Sequence, residues 1–566
     1  MRIGVKAARL KVLAIFGLAL AAIAFGRLVY IQGIRHSAYD EASVEQAQEQ
    51  ITIDMPRASL LDRDGGVLAT SIRCPSIYTF NPAKIANKAG LASAVSMVSG
   101  EDARDILGRL KERRGFTWLA RKLPYGRYEE AQAICNRFPG CDLMEEWGRA
   151  YPQAEVASNL VGCVGTDGGL SGLEADWNKG LQGGTREYMV MRDAVSTTLI
   201  PLEIVPEVDP RPPETRLTID ESIQFCAEQV LDETMNEVRA KTAVAIVLDP
   251  RDGDILAMAV RPTFDPNRPG RYPIADWRNH AVLDAYEPGS TFKLVTMAAA
   301  LGSGRFQPWD TVVVGNGTLT VGPKTIHDDE PPIKPVYTLE EILAHSSNVG
   351  AAKIGMALGQ EVMYHYIKLF GFGEPTPLHM KGESGGLVRP LTQWSMLSLP
   401  SISFGQEVTV TPIQLALAYA DVASGGYRVI PRIYFGGDAP PPERILPADV
   451  CRELDAMLRK VVTDGTGKAA AIPGVVVAGK TGTAQKIGHK SEDGRKLFIA
   501  YFAGYAPADD PKVVTLVMID EPVGKIYGGA IAAPAWAKIT AFALKRLATD
   551  RNGGSMEVAM APGTGQ

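Results

Sequence analysis

The chain has 566 residues, 46% of them hydrophobic, enough to bury a large core, and its length points to two or more domains. A formal net charge of -5 gives no ground for a nucleic-acid partner. The seven histidines are scattered, with neither H-x-x-x-H nor Cys-x-x-Cys spacing, so neither a metal nor a cofactor is expected; six cysteines are too few for a disulfide scaffold at this size.

Arg2, Lys6, Arg9 and Lys11 precede an apolar run from Val12 to Phe25, which Arg27 interrupts and Leu28 to Ile31 resume. The run is long enough to cross a bilayer if Arg27 reaches the far interface. No acidic residue occurs before Asp40, so by the positive-inside rule residues 1–11 stay in the cytoplasm. A cleaved signal peptide is the competing reading, against which stand the length of the run and the poor cleavage site at Gly26-Arg27-Leu28. A retained single-pass anchor over 12–34 is expected, in the inner (cytoplasmic) membrane, with the rest of the chain exported.

Residues 36–50 are polar, with helix-compatible composition. Asp64-Gly65-Gly66 between apolar runs predicts a hairpin turn. Residues 101–140 mix helical periodicity with charge. Cys135 and Cys141 flank a five-residue loop that either closes as a disulfide in an oxidising compartment or holds two buried thiols. Glu174 is read as a carboxylate in a structural polar network. The proline-dense stretch 205–213 is a connector and sets a boundary between a domain over 35–215 and another over 216–548.

Beyond it, Ile223, Ala227, Val230, Leu231, Met235 and Val238 share one helix face. Ala243 to Asp249 and Ile255 to Val260 read as strands joined at Pro250 to Gly253. Strand signals return at Val475 to Ala484, Phe498 to Tyr505 and Val513 to Ile519, and a closing helix runs from Pro534 to Leu547. The expected class is α+β, with both ends of this domain sharing one antiparallel sheet around a helical subdomain. Residues 549–566 are polar and Gly-rich, and disorder is expected there.

The chemistry lies in three stretches. Pro288-Gly289 breaks what precedes it, and the apolar run Phe292 to Leu301, closed by Gly302, is a helix. Ser290 and Lys293 therefore share one face at its start. A serine attacks only when a neighbouring base takes its proton, and a lysine serves if its pKa is lowered. Ser-x-x-Lys alone recurs by chance as a helix cap beside a surface lysine. Ser346-Ser347-Asn348 after an apolar segment, and Lys480-Thr481-Gly482-Thr483 ending the strand-like run Val475 to Gly479, complete an ordered set of three.

With these motifs the chain resembles the class B penicillin-binding proteins, the peptidoglycan D,D-transpeptidases. Further matches are Arg57 to Ala69, Arg149-x-Tyr-Pro, Ser171 to Glu174, Leu217 to Asp220, Gly465-Thr466-Gly467 and Gly528-Gly529, with Ala58 departing where the family has glycine. The resemblance implies a non-catalytic pedestal (dimerisation) domain before a transpeptidase domain of the serine β-lactamase-like fold. It also implies a donor stem peptide ending in D-Ala-D-Ala, inhibition by β-lactams, and Ser290 as nucleophile. Lys293 is then its base, Ser346 a proton relay, Asn348 a holder of Lys293 and substrate, and Lys480 a fixed positive charge near the terminal carboxylate. Thr481 and Thr483 bind that carboxylate, Gly482 lets substrate lie along the strand, and the N–H groups of Ser290 and Thr483 form an oxyanion hole.

Within the family, the modest length and the stretch from Arg57 to Pro82 are most like the division (septal) type, which implies a SEDS-type lipid II polymerase and other divisome membrane proteins as partners. An elongation-type enzyme, a membrane-anchored β-lactamase and a non-catalytic scaffold are the alternatives. No Glu-x-x-Leu-Asn string follows Ser346 to serve deacylation in a β-lactamase. Ser347 and His345 are expected to be structural, His327-Asp328-Asp329 a solvated turn, and Glu287 a support for the loop before the nucleophile.

Overall fold

A computed structural model describes residues 2–37, 39–40, 48–113, 115–166, 168–192, 199–201, 214–436, 441–491 and 494–552. The connector at 205–213 lies outside these residues, as does most of the expected tail. The chain divides into two compact units: 1–57 with 71–148 and 182–212, and 58–70 with 149–181 and 213–566.

In the first unit, α1 (Arg2–Val29) runs on through one wider helical turn at Tyr30–Ile34, and Leu10–Ile34 is long and apolar enough to cross a membrane. β1 (Gln48–Asp54) is strand from residue 48, because it pairs antiparallel with a distant segment, Thr185–Arg192. Local composition, which suggested helix there, does not carry that information. The unit's described core joins β2 (Val67–Thr79), α2 (Lys88–Ser99), α3 (Ala103–Glu112), β3 (Thr117–Ala120), α4 (Tyr128–Arg137) and the start of β4 (Asp142–Ala150). Ile77, Leu91, Val95, Ile106, Leu110 and Leu119 are its most deeply buried large side chains. Asn87 and Asp102 cap the two helices that carry much of that face.

In the second unit, Ser59–Leu61 turns through Asp62 to Gly66 into the start of β2, as the Asp-Gly-Gly sequence predicts, and pairs in parallel with Glu214–Arg216. Residues 58–70 and 149–181 belong here because Leu60, Leu68, Leu160, Val161 and Leu173 share one core with Val244 and Ile246. α5 (Glu221–Val238), capped by Asp220, buries the predicted face through Ile223, Ala227, Val230, Leu231 and Val238. It packs on a five-stranded antiparallel sheet made of β5 (Thr242–Leu248), β6 (Ile255–Arg261), β7 (Ala478–Lys490), β8 (Lys496–Ala506) and β9 (Val513–Asp520). The order is β6-β5-β9-β8-β7, so the two ends of the domain do share one sheet, and β7 is an edge strand.

The closing helix, α6 (Gly528–Asn552), starts before Pro534 and carries it inside. Ile531, Ala532, Ala533, Ala535 and Trp536 are all buried against the sheet, and that packing outweighs the hydrogen bond which the proline forgoes. The segments between β6 and β7 are mainly helical and form the subdomain that carries the first two motifs.

Candidate active site

Ser290 lies in a tight turn, Gly289–Phe292, that leads into the helix Lys293–Gly302. The turn is held from two sides. Gly289 donates its N–H to the Gly405 carbonyl (3.1 Å), and the buried Tyr419 hydroxyl donates to the Thr291 carbonyl (3.0 Å). Glu287, just upstream, accepts the Glu407 N–H at 2.9 Å, which is the supporting role expected of it.

Lys293 is fully buried, and its Nζ meets four oxygens: Ser290 Oγ (2.9 Å), the Ser346 carbonyl (2.5 Å), Ser346 Oγ (3.2 Å) and Asn348 Oδ1 (2.8 Å). A carbonyl and an amide oxygen can only accept. They take two N–H groups of a neutral amine and leave its lone pair for the Ser290 hydroxyl. Burial lowers the Lys293 pKa to about 7, against the partly opposing charges of Asp329 and Asp328. An amine near neutrality that faces a hydroxyl is a competent general base.

The second motif sits between the helices Leu339–Ala344 and Asn348–Leu358. Ser346 adopts φ +60°, a left-handed conformation unusual for serine, and this aims its carbonyl at Lys293 while its Oγ takes a bond from Lys480 at 2.9 Å. Ser347 is the helix cap and accepts the Gly350 N–H (2.9 Å), as suits a structural neighbour. His345 packs its ring against Tyr337. The expectation of a solvated turn at 327–329 is met only in part: His327 and Asp329 are exposed, whereas Asp328 is half-buried and bonded to the second motif. The His327 carbonyl accepts from Asn348 Nδ2 (3.0 Å), and the Asp328 carboxylate accepts from Ser347 Oγ (2.9 Å) and the Val349 N–H (2.9 Å). No spacing pattern links Asp328 to a motif about twenty residues away, so sequence reasoning had nothing with which to place it.

The third motif lies inside β7 rather than at the end of a strand over 475–479, because the pairing with β8 runs from Ala478 onward. Lys480, fully buried, donates to Ser346 Oγ and to the Thr481 carbonyl (3.0 Å). Burial, and then the neighbouring Lys293, push its pKa well below that of an ordinary lysine. Burial thus disfavours the charged ammonium of Lys480, and an anion placed beside it would favour that form. Thr481 and Thr466 share a hydroxyl bond at 2.6 Å, and Thr483 Oγ1 accepts the Gly528 N–H at 3.1 Å, so the Gly-Thr-Gly and Gly-Gly pairs both brace this strand. Close packing gives Gly482 a reason of its own: a Cβ there would meet Thr291 Cγ2 at 2.9 Å and the Pro288 carbonyl at 3.1 Å.

The structure thus gathers Ser290, Lys293, Ser346, Asn348 and Lys480 into one bonded cluster, with Thr481, Gly482 and Thr483 on the adjoining edge strand. The sequence pattern of the penicillin binding protein transpeptidase domain matches residues 243–541, and that of the penicillin-binding protein dimerisation domain matches 52–207. The chain belongs to the class B penicillin-binding proteins.

This class B protein is 32% identical to the peptidoglycan D,D-transpeptidase FtsI of Escherichia coli over 94% of its own length and 91% of that protein's. It is 32% identical to the probable peptidoglycan D,D-transpeptidase PbpC of Pseudomonas aeruginosa, over 95% and 94% of the two chains. The crystal structure of penicillin-binding protein 3 from Mycobacterium tuberculosis in complex with aztreonam aligns with a TM-score of 0.67 at 27% identity, covering 88% and 97% of the two chains. A serine-type peptidoglycan D,D-transpeptidase is what the family makes this class B enzyme.

Two features of the second unit stand apart from the motif cluster. Arg149 Nε donates to Glu174 Oε1 at 2.6 Å with both side chains buried, so Glu174 is structural. A cavity of about 990 Å³ lies among Trp177, Arg251, His379, Arg428 and Tyr434 and is lined by no motif residue.

Proposed function

We propose that the enzyme cross-links stem peptides through an acyl-enzyme on Ser290, during septal cell-wall synthesis. Ser290 Oγ attacks the penultimate carbonyl of a D-Ala-D-Ala donor while Lys293 Nζ takes its proton. The oxyanion is held by the N–H groups of Ser290 and Thr483, whose backbones lie close: a Cβ at Gly289 would stand 2.9 Å from the Thr483 carbonyl. The terminal D-Ala leaves with a proton returned through Ser346. An amine of a neighbouring stem peptide then attacks the ester, giving its proton back along the same path.

Asn348 holds Lys293 and the donor peptide. Lys480, Thr481 and Thr483 receive the terminal carboxylate, and its arrival favours the charged form of Lys480. The donor runs beside Gly482 along the open edge of β7, in the manner of an added strand. β-Lactams mimic the donor and stop at the acyl-enzyme. The observation that carries this reading is the 2.9 Å contact between Lys293 Nζ and Ser290 Oγ, made while two acceptor-only oxygens occupy the amine's protons.

In this reading residues 12–34 anchor the chain in the inner membrane with the N-terminus inside, 35–215 form the pedestal, of which 58–70 and 149–181 pack within the second unit, and 216–548 the exported transpeptidase domain. The septal role rests on the modest length, the stretch from Arg57 to Pro82, and the likeness to FtsI. With it come a SEDS-type lipid II polymerase and other divisome membrane proteins as partners.

The test is labelling of membranes with a fluorescent penicillin, wild type beside Ser290→Ala, followed by mass spectrometry of the labelled peptide. A stable adduct on Ser290, lost in the variant, is expected. Rapid drug turnover would instead indicate a β-lactamase, and no adduct at all would leave a scaffold.

A further inference from the structure

Cys135 and Cys141 stand apart from the transpeptidase chemistry. Cys135 lies in the last turn of α4, Cys141 in the turn before β4, and both are buried in the described core of the first unit. The turn between them is closed by the Cys141 N–H, which donates to the Phe138 carbonyl (3.3 Å), and Gly140 adopts the left-handed φ of +98°. Cys141 Sγ also contacts the Phe138 carbonyl at 3.2 Å, which brings its sulfur back toward the helix end. There the two free thiols are neighbours, each acting on the other's affinity for its proton. Of the two alternatives that the spacing left open, the structure shows two free, buried thiols, and it places them at the two ends of a short closed turn, the approach a disulfide would need.

We propose that Cys135 and Cys141 are joined by a disulfide in the mature protein, stapling the end of α4 to the start of β4, a reading that rests on the export of this domain proposed above. The oxidant is a disulfide, either of a thiol–disulfide oxidoreductase or of a small thiol such as glutathione. The Cys141 thiolate attacks one of its sulfurs and expels the other as a thiolate. Cys135 then loses its proton and attacks the Cys141 sulfur of the mixed disulfide, releasing the second half. Two thiol protons and two electrons leave the pair, and the oxidant becomes two thiols. The contact between the thiols holds Cys141 below its ordinary pKa and raises Cys135, which suits this order of attack. With the residues only 8% and 7% exposed, the bond would form before the core closes and be shielded afterwards.

The experiment uses the full chain in its membrane. Thiol exchange is stopped with acid, free thiols are then blocked with N-ethylmaleimide in denaturant at about pH 7, and the protein is digested with trypsin without reductant. Cleavage after Arg127, Arg137 and Arg149 places the two cysteines on separate peptides, 128–137 and 138–149. A cross-linked pair is expected, two hydrogens lighter than the sum of its parts, dissolved by dithiothreitol and absent in Cys135→Ser and Cys141→Ser. Reduction should lower the melting temperature of the first unit by roughly 5 °C. Both peptides alkylated in the membrane sample would overturn the proposal. A parallel sample, unfolded and refolded with oxidised glutathione, then locates the fault. Cross-linking there would throw doubt on the export reading, and no cross-linking would refute the pairing itself.

Discussion

If Lys293 is the base for Ser290, acylation must follow the neutral fraction of one buried amine. Its pKa is about 7 instead of the ordinary 10.5. That difference corresponds to about 5 kcal/mol by which the pocket disfavours the ammonium, at about 1.36 kcal/mol per unit. With a pKa near 7, about 9% of the lysine is free base at pH 6, about half at pH 7 and about 91% at pH 8. The second-order rate constant for acylation by a fluorescent penicillin should therefore rise roughly tenfold from pH 6 to 8 and then level. Only a base still mostly protonated would keep gaining about tenfold per unit up to pH 9. Asp329 is the largest charge that opposes the shift, so Asp329→Asn should move the acid limb to lower pH. A limb that climbs steadily to pH 9, or one unmoved by Asp329→Asn, would refute the assignment of this limb to Lys293.

Other substitutions probe the supports of the site. Gly405→Ala places a Cβ 2.1 Å from the Gly289 carbonyl at a φ of +86°, and should slow acylation at least about 100-fold by displacing the Ser290 turn; stopped-flow labelling of the folded variant checks it. Asp328→Asn leaves one acceptor where the carboxylate serves both Ser347 Oγ and the Val349 N–H, and should cost about tenfold in the same assay with little change in melting temperature. Asp421 is fully buried with its pKa raised by burial to about 7, from 3.8 in an exposed chain. The folded state then resists ionisation, so this group's contribution to stability is greatest below about pH 4 and falls as pH rises toward 7, by at most roughly 4 kcal/mol. Asp421→Asn should flatten that dependence in urea titrations at pH 5 and pH 8, and an unchanged slope would count against it.

Much of this site was legible beforehand because its chemistry is concentrated in short, ordered stretches. Ser290 and Lys293 are three apart at the start of a helix, a relation that local periodicity settles. The shared antiparallel sheet was legible too, since β-branched and apolar runs with turn residues between them recur at both ends of the domain. Where reading failed, the cause was a long-range contact. The strand at residue 48 exists through pairing with residue 191, and the strand carrying the third motif is set by its pairing with β8. α6 passes through Pro534 because a sheet lies beneath its first turns.

The sequence by itself determined which functional groups are available and in what order: a hydroxyl three residues from an amine, a second hydroxyl with an amide, and a second amine on a strand. Those follow from residue identity and local conformational preference. Only the tertiary structure decided what the groups are worth. It buries both lysines, which lowers their affinity for protons. It turns Ser346 into a left-handed conformation that supplies an acceptor to Lys293, and it brings Asp328 across to fasten the second motif. It also gives Gly482 a reason, as a seat for the turn that carries Ser290. Desolvation and hydrogen-bond geometry depend on atoms far apart in the chain, so no local pattern can encode them.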